Sequence, residues 1–315
     1  MRTNLEQLER AIIKTVCYFD IFNIPLRPHK IKLFLYRRNV ASDKQFNIAL
    51  QNLFDKKYLE QYKDYCFLPG RKRIVKLRQY RKEFCAKRWH RAQKAAIALQ
   101  MIPFIRLVAV TNSLALDNSN KNSDIDLFIV TSKGRLWTAR ILSVVLLDIL
   151  GLNKNHRQIS NQMCLGFFAD TTYMDLSKMC KSKDDIYYTY RVAHMSPIYD
   201  KQTYLKFIEK NHWLFEDLPN FDLEISRTIL RNFEIKPNKF LQSIGHAFES
   251  VLSGNFGYHL EKKLRQSQIK RIRRLEKEKL PVTRLDDNIM RLGAYNKNQK
   301  FNDLLRKSYS RFYNE

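Results

Sequence analysis

Two aspartates open an otherwise apolar run in Ser123-Asp124-Ile125-Asp126-Leu127-Phe128-Ile129-Val130-Thr131, and this arrangement constrains the chain more than any other segment. Read as a strand, it puts Asp124 and Asp126 on one face and Ile125 and Leu127 on the other. Leu127 to Val130 is continuously apolar, as expected of a strand covered on both faces. Two carboxylates on one face at the exposed start of such a strand repel each other. A cation between them relieves the repulsion, and hard oxygen ligands of this kind suit Mg2+. Roughly ten residues upstream, Thr111-Asn112-Ser113-Leu114-Ala115 reads as a turn whose hydroxyl and backbone N–H groups could receive a phosphate.

At these residues the chain resembles the polymerase-beta-like nucleotidyltransferase superfamily, whose signature is a Gly-Ser turn, a spacer of about ten residues and Asp-x-Asp entering a strand. Ser113 matches the Ser, and Asp124 and Asp126 match the paired acids. Asn112 stands where the family has Gly. The likeness continues through Gly134-Arg135-Leu136-Trp137-Thr138-Ala139-Arg140, Pro197-Ile198-Tyr199-Asp200, Asn211-His212-Trp213 and Leu218-Pro219-Asn220, and is similar to nucleotidyltransferase-domain proteins that carry an N-terminal winged helix. It implies transfer of a nucleoside monophosphate from a triphosphate. Two Mg2+ (or Mn2+) ions would be bridged by Asp124 and Asp126, with the phosphates held at Thr111, Asn112 and Ser113. Lys121, Lys133 and Arg140 are the candidates to neutralise the leaving group's charge. The family's third carboxylate lies on a following strand. Met163-Cys164-Leu165-Gly166-Phe167-Phe168 contains no acid, so Asp170 at its end is the candidate, with Asp175 second. The rival expectation is a winged-helix nucleic-acid-binding protein whose nucleotidyltransferase-like domain has lost catalysis.

The formal charge of +26 makes polyanions the expected partners. Nucleic acid comes first, a nucleoside triphosphate second and an anionic membrane third; the bland alternative is a charge that serves solubility. The charge is clustered. Arg71, Arg73, Arg78, Arg81 and Arg88, with several lysines between them, read as a long basic helix that could grip phosphate backbone without reading sequence. Equally, that helix could be a solvated linker. A second run comprises Lys262, Lys263, Arg265, Lys270, Arg271, Arg273, Arg274, Lys277 and Lys279.

An apolar content of 44% in 315 residues allows two or three domains with real cores. No apolar run is long enough to span a bilayer, and the N-terminus lacks a signal-peptide core. Five cysteines without metal-ligand spacing read as reduced thiols of a cytoplasmic protein. His156, His194, His212, His246 and His259 lie too far apart for a metal motif, and Trp137 and Trp213 read as core residues.

The expected class is α+β. Residues 1–80 form an N-terminal winged-helix-like domain of three helices and a hairpin around Lys63-Asp64, its third helix starting after Ser42. Residues 81–200 hold the basic linker helix and a nucleotidyltransferase-like core with a mixed sheet. Its strands are 106–110, 124–131 and 163–169, and an apolar helix over 137–150 covers them and ends at Gly151. Residues 201–315 form a helical C-terminal domain.

Overall fold

The computed structural model describes residues 3–40, 42–153, 161–180, 185–222, 233–277, 282–293 and 297–313. His156, Lys279 and most of the Pro219–Pro237 segment lie outside them.

Three helices and a hairpin form first. Helix α1 (Asn4–Ile21) starts where the Thr3 hydroxyl accepts the Glu6 amide. Pro28, with its φ already helical, opens α2 (Pro28–Leu33). Ser42 caps α3 (Asp43–Asp55) through the Gln45 amide. Phe46, Ala49, Leu50 and Leu53 are the buried stripe of α3, which packs on α1, while Lys44, Asn47, Ile48 and Gln51 face solvent. Strands β1 (Glu60–Tyr62) and β2 (Tyr65–Phe67) make the hairpin. Its turn lacks a glycine, and Lys63 takes the left-handed conformation instead, at φ +54°.

The central sheet has six strands: β3 (Ile105–Val110), β4 (Ile125–Thr131), β5 (Met163–Asp170), β6 (Ser196–Asp200), β7 (Val282–Leu285) and β8 (Ile289–Leu292). Their order is β6-β3-β4-β5-β8-β7. Only β4 and β5 run parallel. A parallel neighbour needs a crossover, and α6 (Leu136–Ile149) provides it, stopping before Gly151 at φ +62°.

Strand alternation divides the apolar residues between two faces. Val108, Val110, Leu127 and Ile129 pack with Trp89 and Leu99 of α4 (Arg73–Leu99) and with Trp137 and Leu147 of α6. Helices α10 (Lys239–Leu252) and α11 (Asn255–Lys277) flank this side. The buried carboxylate of Glu261 on α11 accepts the Trp137 and Thr138 amides at 2.7 and 2.8 Å, capping the start of α6, where no local side chain does so.

Leu107, Ala109, Phe128, Val130 and Phe167 face the other way, toward α7 (Ile186–Ala193), α8 (Tyr204–Lys210) and α9 (Trp213–Asp217). This core is continuous with that of α1–α3. Tyr190 joins them: its ring lies 4.3 Å from Tyr18, and its hydroxyl donates to the Phe34 carbonyl at 2.6 Å.

One expectation changes. The C-terminal third is not purely helical, because β7 and β8 extend the sheet beyond β5. The helix after them, α12 (Lys297–Tyr309), packs on α1 and α7. Packed apolar residues from either side of positions 80 and 200 belong to one cluster. Among the described residues no helix is long and apolar enough to cross a membrane.

A shared core has a measurable consequence. Tyr190→Phe removes the shorter of two side-chain donors to the buried Phe34 carbonyl, leaving the Thr15 hydroxyl at 3.4 Å, and should cost ~1 kcal/mol. In urea titrations followed by both far-UV CD and tryptophan fluorescence, the single transition should move to lower denaturant without splitting. Two separate transitions in the wild-type chain would show that the N-terminal helices fold on their own.

Candidate metal centre

Strand β3 delivers the chain to the centre at Thr111, whose amide donates to the Asp126 carbonyl at 2.9 Å. Asn112 then takes φ +58°, the left-handed region a glycine would occupy at no cost, and opens the short helix α5 (Asn112–Ala115). Asparagine tolerates this conformation better than most residues. It also does what glycine could not, because its side chain hydrogen-bonds the Asp126 carboxylate. Ser113 is half-buried, its Oγ 3.3 Å from Ser119 Oγ.

The pleat of β4 places Asp124 and Asp126 on the same face, as the alternation requires. Parallel pairing sets Cys164 of β5 opposite Asp126. One ligand atom from each of Asp124, Asp126 and Cys164 lies within 4.8 Å of the others. Burial, reinforced by the Asp124 charge, pushes the Asp126 carboxyl above the usual carboxylate range. Hydrogen bonds from Asn112 and Cys164 and the positive charge of Arg191 oppose that shift.

The donor set decides which ion fits. Two carboxylates and a thiol suit one divalent cation of intermediate softness better than Mg2+, since thiolate favours softer ions. Among the described residues these three are the one cluster of that kind, and it contains no third carboxylate. Cys164 went unrecognised in the sequence because a carboxylate was sought there. Its signal was its position, the second residue of a strand parallel to Asp-x-Asp.

Other expected site residues fall elsewhere. Asp170 sits at the far end of β5, paired with Thr131 and roughly 20 Å from Cys164 at ~3.3 Å per residue. Its carboxylate accepts the Gly134 and Thr172 amides at 2.9 and 2.8 Å, so it fixes a loop. Asp175 closes a local turn onto Ser177. Lys133 is on the loop near Asp170, and Arg140 is bonded to Gln268 at 2.6 Å between α6 and α11. Lys121 is exposed at the tip of the loop before Asp124. His194 is a core histidine, Nδ1 against the Tyr190 carbonyl at 2.7 Å, with burial lowering its pKa to about 4.

The arginines expected to grip nucleic acid are mostly turned inward. Arg88 is buried and donates to the carbonyls of Ser123 and Lys121 at 3.1 and 3.2 Å. Arg78 holds the Leu116 and Asp117 carbonyls, both at 2.7 Å. Arg81 reaches Asn118 Oδ1 at 2.6 Å and the Phe22 carbonyl at 3.2 Å. Arg71 binds Asp20 and Asn23 at 2.9 and 2.6 Å. Three of these guanidinium groups brace the loop that carries Asp124, so they are positioning residues; Arg71 ties α4 to the N-terminal helices. Of the five, only Arg73 is exposed.

No protein-family model, curated protein or solved structure matches the chain.

Without metal, Asp126 holds its proton more tightly in the folded state than in the unfolded state. Folding therefore gains below the unfolded carboxylate range, and that gain is lost as pH rises through the raised folded value. In EDTA at pH 7, Asp126→Asn should raise the melting temperature by about 2–4 °C, the shift that ~1 kcal/mol gives in a large domain. It should also flatten the pH dependence above the unfolded carboxylate range. A melting temperature that is unchanged or lower at pH 7 would mean that the pair carries no repulsion.

Proposed function

We propose that this chain is a metal-dependent nucleotidyltransferase that moves a nucleoside monophosphate from a triphosphate onto a hydroxyl acceptor. The observation that carries the reading is the cluster of Asp124, Asp126 and Cys164 beside the Ser113 turn.

Asp124, Asp126 and Cys164 would hold the cation. A divalent ion there supplies Lewis-acid polarisation of a phosphoryl oxygen. Asn112 fixes the Asp126 carboxylate, and Arg88, Arg78 and Arg81 hold the approaching loop, so neither ligand must be ordered during reaction. The Ser113 hydroxyl, now 3.3 Å from the Ser119 hydroxyl, would donate to a phosphate oxygen. Exposed Lys72, Arg73, Lys76, Lys262, Lys263 and Lys270 make a charged acceptor such as RNA or an acidic protein surface more suitable than a neutral metabolite.

Cys164 favours one rival reading, a nucleic-acid-binding protein with a catalytically degenerate domain, because a thiol replaces the carboxylate that a two-Mg2+ reaction requires. Both readings meet in one assay. The full chain is incubated with each α-labelled triphosphate, Mn2+ or Mg2+, and total RNA or protein. Transfer should be faster with Mn2+, and Asp124→Asn should lower it by about 100-fold or more. Cys164→Asp should raise the rate in Mg2+. If no triphosphate gives transfer with either ion, while RNA binds with steep salt dependence, the rival reading replaces this one.

A further inference from the structure

Helix α10 turns polar side chains inward and apolar ones to solvent, the reverse of the usual arrangement. Gln242 donates to the Tyr199 hydroxyl at 3.2 Å. Glu249 accepts from Arg106 at 2.7 and 3.0 Å and from the Phe104 amide at 2.6 Å. Gly245 lies between them, so close to the Gln100 carbonyl that a Cβ there would stand 2.9 Å from its oxygen. These three residues share one face of the helix and seat it against the end of α4 and the start of β3. Leu252 is the one apolar side chain of α10 that is fully buried. Phe240, Ile244, Phe248 and Val251 recur on the far side at helical spacing. Of these, Phe240, Phe248 and Val251 are 73%, 54% and 68% exposed. Across the Ser253-Gly254 turn, Phe256 and Tyr258 of α11 are exposed as well.

The charge around this stripe identifies what covers it. Lys236 and Lys239 precede Phe240, Lys262 and Lys263 follow Tyr258, and all four are exposed. Arg135 donates to the Ser253 carbonyl at 3.0 Å, which places the loop of exposed Lys133 beside the turn. Lys201 Nζ lies 3.3 Å from His246 Nε2 of α10. From Lys236 to Leu275 the chain has two acids, and both are turned inward, Glu249 to Arg106 and Glu261 to the Trp137 and Thr138 amides. The solvent side of the α10–α11 pair therefore joins exposed aromatic and aliphatic groups to cations, with no acid of its own. A second copy would set the same cations against these, in a chain of net charge +26. The apolar side chains project, each more than half exposed, instead of lining a groove. That shape and charge suit a fluid apolar layer beneath an anionic surface: the rings enter the acyl boundary and the lysines stay among the headgroups.

We infer that α10 and the first turn of α11 form an in-plane anchor for an anionic lipid surface. The anchor lies at the start of β3, and the metal centre lies past its end. The inference does not depend on the transferase reading.

The test is flotation of the full chain with vesicles of phosphatidylglycerol or of phosphatidylcholine. The chain should float with phosphatidylglycerol and stay behind with phosphatidylcholine. Phe240→Ser/Phe248→Ser keeps every charge and alters only exposed side chains, so far-UV CD should not change, while vesicle affinity should fall about 100-fold. Lys236→Ala/Lys239→Ala should weaken it about 10-fold. In Phe248→Trp the introduced indole should be quenched by lipids brominated along the acyl chain, beyond any quenching of the wild-type chain. Equal affinity in the phenylalanine double variant, or an unquenched indole, would show diffuse attraction to the overall positive charge and overturn the inference. Equal flotation with phosphatidylcholine would overturn the anionic requirement. Vesicles that bind nothing would also overturn the inference and leave the face to an acidic protein, and a lipid-free dimer that Phe240→Ser/Phe248→Ser dissociates would give it to a second copy.

Discussion

The parallel pairing of β4 with β5 is the constraint on which the rest of the structure depends. Parallel neighbours cannot be joined by a hairpin, so the chain must leave the sheet and return. The return through α6 covers one face with Trp137 and Leu147, and the start of α6 then needs Glu261 from α11. The same pairing brings the N-terminal ends of two strands together. Cys164 reaches Asp126 for that reason, and Asp170 is carried to the opposite end. An antiparallel β5 would have exchanged them.

The positive charge serves two different purposes. A helix rich in arginine ordinarily reads as a surface for a polyanion, yet Arg78, Arg81 and Arg88 spend their donors on the backbone and side chains of residues 116–123. A loop that approaches a metal centre has no ladder to satisfy its carbonyls, and buried carbonyls require donors. Guanidinium groups, with several donors on a long stem, meet that need across a gap. The exposed lysines remain for external partners. Counting charge along the chain could not separate the two sets, because inward and exposed basic residues are interleaved between 71 and 88 and only packing distinguishes them.

This bears on what the sequence made legible. The strand with its paired acids, the turn at Asn112, the covering helix and the three N-terminal helices with their hairpin were all readable, since each rests on local periodicity or turn chemistry. The hairpin of β7 and β8 was missed although Asp286-Asp287-Asn288 between two short apolar-and-arginine segments is a turn signal. The neighbouring lysine-rich helix biased that region toward continuous helix. The third member of the cluster was illegible for a different reason. Cys164 acquires its meaning from a strand register, opposite Asp126, and a register between segments this distant is a tertiary property.

The electrostatics of that face have a further implication for how the centre would be filled. Alone, Asp124 and Asp126 oppose one another and draw protection from Arg191. A cation bound between the acids would relieve that repulsion and displace the proton that burial now favours on Asp126. Metal binding would therefore be linked to pH, its affinity rising until Asp126 is ionised, because a ligating carboxylate must give up its proton.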